Sequence, residues 1–205
     1  MATLTPSKIV CVGRNYVAHA KELGNDVPKE PLIFLKPPSS LIRSGESIRL
    51  PTVSKRVEYE GEIGVVLGAR LHKASGDEAL RAVAGIVAAN DVTARDLQKS
   101  DSQWTRAKGF DTFCAVGDVG KPPADLASLS VTTRVNGEVR QQGRGTEMVF
   151  DIPTVLVYIS AVMTLEPGDL VLTGTPEGVG TLAPGDVVEV EIAGVSRVSN
   201  PVTSD

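Results

Sequence analysis

The chain has 205 residues, 41% hydrophobic and 22% charged, enough to bury a core without disulfide or metal staples, which excludes a miniprotein and a disordered chain. Lys and Arg number 21 against 25 Asp and Glu, and a net charge of -4 leaves no basic surplus to neutralise a phosphate backbone, so no nucleic-acid partner is expected. No run of about 18 apolar residues occurs and the N-terminus lacks the apolar core of a signal peptide, so no membrane partner is expected and the chain reads as cytoplasmic.

Valine accounts for 28 residues, aromatics make up 4%, and Gly 20 with Pro 13 punctuate the chain; this favours many short strands joined by tight turns. The expectation is a mainly β chain of the α+β class with a few short peripheral helices, forming one domain over residues 1–205. In chain order, residues 8–12 read as the first strand. Residues 15–23 read as a short helix placing His19 and Glu22, three apart, on one face. A paired carboxylate can orient an imidazole and raise its basicity, as in a histidine that activates water; an exposed helical pair is the plainer alternative. Residues 32–35 form the next strand, and Lys36-Pro37-Pro38-Ser39-Ser40 marks a surface loop.

Glu58, Glu60 and Glu62 recur at period two ahead of the apolar strand 64–67, so in a continuous strand all three point to one face, neighbours about 7 Å apart. Like charges in such a row require either solvent or a cation. His72 reads as ordinary surface, and Ser75-x-x-Glu78 as a capping box that opens a helix. The apolar run 85–89 is a buried strand, and Asp91 at its end is a candidate for pairing or metal binding. Carboxylate oxygens without histidine or thiolate suit Mg²⁺ or Mn²⁺. Trp104 to Phe110 is a loop whose aromatics can pack and leave Lys108 facing a cleft. Lys121-Pro122-Pro123-Ala124 marks another surface loop. Strand 131–135 enters a hairpin at Asn136-Gly137, where a type I′ turn needs positive φ twice. Asp151-Ile152-Pro153 caps a helix with Val155, Leu156, Ile159 and Met163 at helical spacing. Strand 169–172 precedes the glycine-rich stretch 173–180, which lacks Gly-Lys-Ser/Thr and is no P-loop, although its amides could hold a carboxylate. Strand 187–192 follows. Cys11 and Cys114, far apart and without Cys-x-x-Cys, read as reduced thiols.

Five motifs taken together, Gly13-Arg14-Asn15-Tyr16 with His19 and Glu22, Glu60-Gly61-Glu62-Ile63-Gly64, Asn90-Asp91-Val92-Thr93-Ala94-Arg95-Asp96, Trp104-Thr105-x-Ala107-Lys108 and Thr173-Gly174-Thr175-Pro176-x-Gly178-Val179-Gly180, resemble the fumarylacetoacetate hydrolase family. The similarity is to its short members of the acylpyruvate hydrolase and oxaloacetate decarboxylase type, over residues 8–195. It implies a mixed β-roll, a homodimer and one Mg²⁺ or Mn²⁺ held by Glu60, Glu62 and Asp91, with Glu58 outside the matched pair. It further implies that His19 and Glu22 form a water-activating dyad on a lid helix, that Lys108, Arg95, Arg14 and Gln98 line the substrate site, and that Thr175 meets the substrate carboxylate. The resemblance, which spans nearly the whole sequence, leads to the expectation of no extra N-terminal domain like that of the longer members, which argues against fumarylacetoacetate as substrate, and residues 99–103 look shorter than in some relatives, which alters a loop near the cleft.

The activity expected from this resemblance is hydrolysis of a 3-acylpyruvate, such as acetylpyruvate or fumarylpyruvate, to pyruvate and a carboxylic acid. Decarboxylation of oxaloacetate and isomerisation of an unsaturated 2-oxo dioic acid in aromatic catabolism are the enzymatic alternatives. A metal-stabilised binding module is the non-enzymatic one.

Overall fold

Strands form where β-branched residues repeat at the two-residue period of an extended backbone and end where Gly, Pro or Asn permits a turn. In the computed structural model, which describes residues 4–24 and 26–205, the first part of the chain forms β1 (Ile9–Gly13), α1 (Val17–Glu22), β2 (Leu32–Lys36), β3 (Leu41–Arg43), β4 (Ile48–Leu50), β5 (Val57–Tyr59) and β6 (Gly61–Leu67). The middle supplies α2 (Gly76–Arg81), β7 (Val83–Asp91), β8 (Thr93–Ala94), α3 (Arg95–Ser100), α4 (Thr105–Lys108) and β9 (Cys114–Val116). The remainder supplies β10 (Ser130–Val135), β11 (Glu138–Arg144), α5 (Ile152–Val162), β12 (Leu170–Leu172), β13 (Gly180–Thr181), β14 (Val187–Ile192) and β15 (Ser196–Ser204). The three local signals read from sequence have their structural counterparts. Ser75 and Glu78 form a reciprocal capping box, Asp151 caps α5 through the amide of Thr154 at 2.9 Å, and Asn136 and Gly137 take φ of 54° and 82°.

Among the described residues a seven-stranded mixed sheet runs in the order β2-β1-β12-β6-β7-β9-β3, a five-stranded sheet in the order β11-β10-β14-β15-β4, and a small sheet in the order β13-β5-β8. The large sheet curls into a half-barrel, and side-chain alternation sorts its residues into two apolar clusters. Ile9, Cys11, Val87, Ala89, Leu170 and Leu172 fill one face together with Cys114 and Val116. Val10, Val12, Ile86, Ala88 and Val171 face the other way, into the main core shared with α5 and the five-stranded sheet. The two sheets approach closely because Gly117 and Gly120 present no side chain. A Cβ there would lie 2.4 Å from the carbonyl oxygen of Arg197 and 2.2 Å from that of Val195. Both cysteines are buried and free; burial pushes the Cys114 thiol up to about 12. The structure contradicts one surface assignment. Lys36 is 1% exposed and Ser40 fully buried, because Lys36 closes β2 with its ammonium turned inward. No described helix is long and apolar enough to cross a membrane.

Asp169 fastens the first strand to the turn before β12. Its Oδ1 accepts from the amides of Ser7 and Lys8 at 3.0 and 3.1 Å and from the Ser7 hydroxyl at 2.7 Å. Its Oδ2 accepts from Lys8 Nζ and from the amide of Glu166 at 2.8 Å. Burial alone would raise this carboxyl, but the Lys8 ammonium and the amide donors outweigh it and hold it below its ordinary value. A depressed carboxylate stabilises the fold above its unfolded pKa, and that contribution disappears as pH falls through the folded value. Asp169→Asn should therefore cost on the order of 2 kcal/mol at pH 7. In urea melts, the gap from the parent protein should shrink once the pH drops below about 4. A gap that stays constant down to pH 2 would show that the charge of Asp169 contributes nothing.

Candidate active site

The row Val66, Gly64, Glu62 on β6 and the row Val87, Ala89, Asp91 on β7 lie on the same face of the curled sheet, because alternate residues share a side. Antiparallel register sets Glu62 opposite Ala89 and Gly61 opposite Asn90. Two carboxylates thus continue rows that are otherwise apolar or glycine. Glu60 occupies the break between β5 and β6, where its amide donates to Asn90 Oδ1 at 2.9 Å and its carbonyl accepts from the Asp91 amide at 2.8 Å. Ligand oxygens of Glu60, Glu62 and Asp91 all lie within 4.8 Å of one another. The three residues are at most 4% exposed, which removes the solvated-sheet alternative. Glu58, on the other side of the break, is also buried, and pairs with Arg95 at 2.7 Å and Arg56 at 2.6 Å.

Pairing within this cluster is uneven. Glu60 receives Arg95 at 2.6 Å and Lys108 at 2.7 Å, while Asp91 receives Lys36 at 2.5 Å and Lys108 at 2.6 Å. Glu62 accepts only the Gly174 amide, at 2.7 Å, among the described residues. Burial would raise the Glu60 carboxyl, yet Lys108 and Arg95 hold it well below the usual carboxylate range. Burial and the neighbouring Asp91 and Glu60 push the Glu62 carboxyl well above that range. Burial would lower the Lys108 ammonium, but Asp91 and Glu60 keep it above its ordinary value. A buried carboxylate crowded by two others and lacking a cationic partner is a place where added positive charge is strongly favoured. With oxygen donors alone, Glu60, Glu62 and Asp91 fit a hard divalent cation such as Mg²⁺ or Mn²⁺.

Arg14, His19, Arg95, Gln98, Lys108 and Thr175 line one cleft of ≈ 50 Å³ with these three carboxylates. His19 is 4% exposed. Its Nδ1 lies 3.1 Å from Glu22 Oε2, and Glu22 Oε1 accepts from the Gly178 amide at 3.0 Å. The glycine-rich stretch therefore uses two amides, those of Gly174 and Gly178, to hold carboxylates of the site. Arg14 takes φ of 59°, a left-handed conformation uncommon outside glycine, and its guanidinium enters no ion pair among the described residues. Arg95 also donates to Gln98 Oε1 at 2.6 Å. The Lys108 ammonium stands 5.0 Å from the centre of the Phe34 ring, which Trp104 meets edge-on at 5.3 Å. Thr175 is in the cleft, but its hydroxyl already donates to the Gly61 carbonyl at 2.9 Å. His72 is exposed, with Nδ1 3.2 Å from the Thr164 hydroxyl.

Three contributors escaped the sequence reading. Lys36 shares the inward row of β2 with Phe34, a signal hidden by the two prolines after it. Phe34 itself looked like any strand residue, and Gln141 lies in a polar stretch with no periodic apolar mark.

The family model described as fumarylacetoacetate (FAA) hydrolase C-terminal matches residues 8–203. The mitochondrial oxaloacetate tautomerase FAHD1 of Arabidopsis thaliana is 45% identical, over 94% of this chain and 89% of that protein. The mitochondrial oxaloacetate decarboxylase of Dictyostelium discoideum is 44% identical, over 93% of this chain and 91% of that protein. Among solved structures, 5-carboxymethyl-2-hydroxymuconate delta-isomerase from Mycobacterium smegmatis superposes with a TM-score of 0.92 at 42% identity, covering all of this chain and 81% of that one.

Proposed function

The chain belongs to the fumarylacetoacetate hydrolase family, whose members act on small keto and dioic acids, and on that premise we propose that it interconverts the keto and enol forms of an oxaloacetate-class 2-oxo dicarboxylic acid. One observation carries this reading. A histidine oriented by a carboxylate opens on the same buried cleft as three crowded carboxylates and a lysine. Such a site can move a proton at a carbon while positive charge receives the electrons left behind.

The guanidinium of Arg14, which lines the cleft, suits one substrate carboxylate, and Arg95 with Gln98 suits the other end. Because Nδ1 of His19 faces Glu22, its Nε2 is the nitrogen available to the substrate. That nitrogen takes the proton from C3, the electrons of the C3–H bond form the C2–C3 double bond, and the C2 oxygen gains negative charge. His19 then returns the proton to that oxygen, so that no atom is gained or lost. The Lys108 ammonium adds positive charge beside the developing oxyanion. A Mg²⁺ or Mn²⁺ ion held by Glu60, Glu62 and Asp91 would supply Lewis-acid stabilisation of the same oxygen.

Oxaloacetate decarboxylation is the second reading, favoured by the Dictyostelium discoideum relative. There the C3–C4 bond breaks, CO₂ leaves, and the same kind of enolate takes a proton at C3. Acylpyruvate hydrolysis, the activity first expected, is less well supported, since the relatives named above are a tautomerase, a decarboxylase and an isomerase. The test is to give the purified protein oxaloacetate with Mn²⁺ or with chelator, following the ultraviolet band of the enol and, by a coupled assay, pyruvate. Faster enol equilibration without pyruvate is the expected result. Pyruvate release in step with substrate loss favours the second reading. Cleavage of acetylpyruvate, with oxaloacetate untouched, overturns both.

A further inference from the structure

The peptide that joins Glu60 to Glu62 is held by a closed ring of hydrogen bonds reaching from the other sheet. Gln141, on β11, is 1% exposed. Its Oε1 accepts from the Gly61 amide at 2.9 Å. Its Nε2 donates to the Thr175 hydroxyl and to the Pro176 carbonyl, both at 2.8 Å. Thr175 completes the ring by donating to the Gly61 carbonyl at 2.9 Å. Both polar groups of Gly61 are thereby fixed, one by Gln141 directly and the other through Thr175. The approach is tight enough to demand glycine, since a Cβ on Gly61 would lie 1.8 Å from the hydroxyl of Thr133, the residue opposite Gln141 on β10. Gly143, two residues along β11, makes room for Pro176, for a Cβ there would lie 2.8 Å from its ring.

We infer that Gln141 is a positioning residue that sets the spacing of the Glu60 and Glu62 carboxylates, and so the affinity of the cluster for a divalent ion. The inference rests on the metal reading of that cluster. The carboxylates are one residue to either side of Gly61, so a rotation of the Gly61 peptide swings both of them. An amide side chain is the group that can accept from an N–H while donating to two oxygens. Leucine or methionine would fill the space but leave the Gly61 amide without its acceptor and the Thr175 hydroxyl without its donor, so that the peptide is held less firmly. Partners of this second layer typically contribute about 10–100-fold to metal affinity.

The experiment is calorimetric titration of the metal-free protein with Mn²⁺, at a temperature where circular dichroism shows every variant folded. Gln141→Met is expected to weaken Mn²⁺ binding about 10–100-fold. Gln141→Glu keeps the acceptor for Gly61 but loses both donors, and should fall between it and the parent. Gln142→Met, on the exposed side of the same strand, should bind Mn²⁺ as the parent does. A Gln141 that only satisfies buried groups would lower the melting temperature and leave affinity intact. Affinity within about twofold of the parent in both Gln141 variants overturns the inference. Should Gln141→Met not fold, Gln141→Glu and Thr175→Val, which frees the Gly61 carbonyl, decide by the same criterion. Absence of Mn²⁺ binding in the parent itself would instead sink the metal reading, and the inference with it.

Discussion

Asp91→Asn and Glu62→Gln should both abolish the rise in melting temperature that Mn²⁺ produces, while moving the metal-free protein in opposite directions. An ion that binds only the folded state, at about a hundred times its dissociation constant, stabilises by roughly 2.7 kcal/mol, or about 5–10 °C for a domain of this size. Each of the three carboxylates supplies an oxygen to the cluster, so losing either of these two should erase that rise. Without metal their positions differ. Asp91 balances Lys36 and Lys108, and its neutralisation leaves Lys36 with neutral acceptors, such as the Val92 carbonyl at 3.2 Å, and no anion to pair with among the described residues. A buried charge left without its partner costs on the order of 3 kcal/mol. Among the described residues Glu62 forms no ion pair, and burial with two neighbouring carboxylates outweighs the nearby Lys108, so its neutralisation should leave the metal-free protein as stable as the parent or more so. Thermal melts with Mn²⁺ and with chelator provide both readings. A metal-induced shift that survives in both variants would remove the cluster from any role in metal binding.

His19→Ala should slow enol equilibration by about 10²–10⁴, the range for removing a positioned general base. Loss of CO₂ needs no base at C3 to start it, so any decarboxylation should fall much less. Both rates belong on one preparation at saturating Mn²⁺, because loss of metal would lower them together. A smaller companion effect is expected for Glu22→Gln, which keeps the contact to His19 but alters the charge that orients the ring. If His19→Ala equilibrates the enol at the parental rate, proton transfer occurs elsewhere in the cleft. If both rates fall equally, His19 holds the substrate and does not carry the proton.

The strands legible in the sequence are those of the two cores, where valine, isoleucine and leucine mark the buried rows. Residues 187–192 are read with their observed ends, and 32–35 and 131–135 fall one residue short of theirs. β15 went unread because Ser, Asn and Pro201 interrupt Ser196–Ser204, and those residues ordinarily punctuate turns. β11 went unread past its hairpin because it is the polar edge of its sheet. In the site, residue types and spacing suggested His19 with Glu22 and a divalent ion near Glu60 and Glu62, but only the family resemblance set Asp91 beside the glutamates. That juxtaposition comes from β6 pairing with β7, with fifteen residues lying between the two strands, and no local pattern carries it. Lys36 is the sharper case. Its charge and the prolines after it both indicate surface, and the buried Asp91 that reverses that reading lies 55 positions away.

Glu62 and Asp91 occupy the inward rows of β6 and β7, which gives the chemistry a dependence on residue counting. Deleting one residue within Gly61–Leu67 would turn Glu62 into the apolar core and bring an apolar side chain into the cleft, because each step along a strand exchanges its two faces. A deletion of two would restore the facing but shift the carboxylate by one pleat. The proline-containing segment 121–124, which lies outside the strands, has no such parity. Length variation in descendants of this sequence should therefore collect in loops of that kind, and any circular permutant or inserted domain that keeps the chemistry should open the chain there and leave the ligand strands whole.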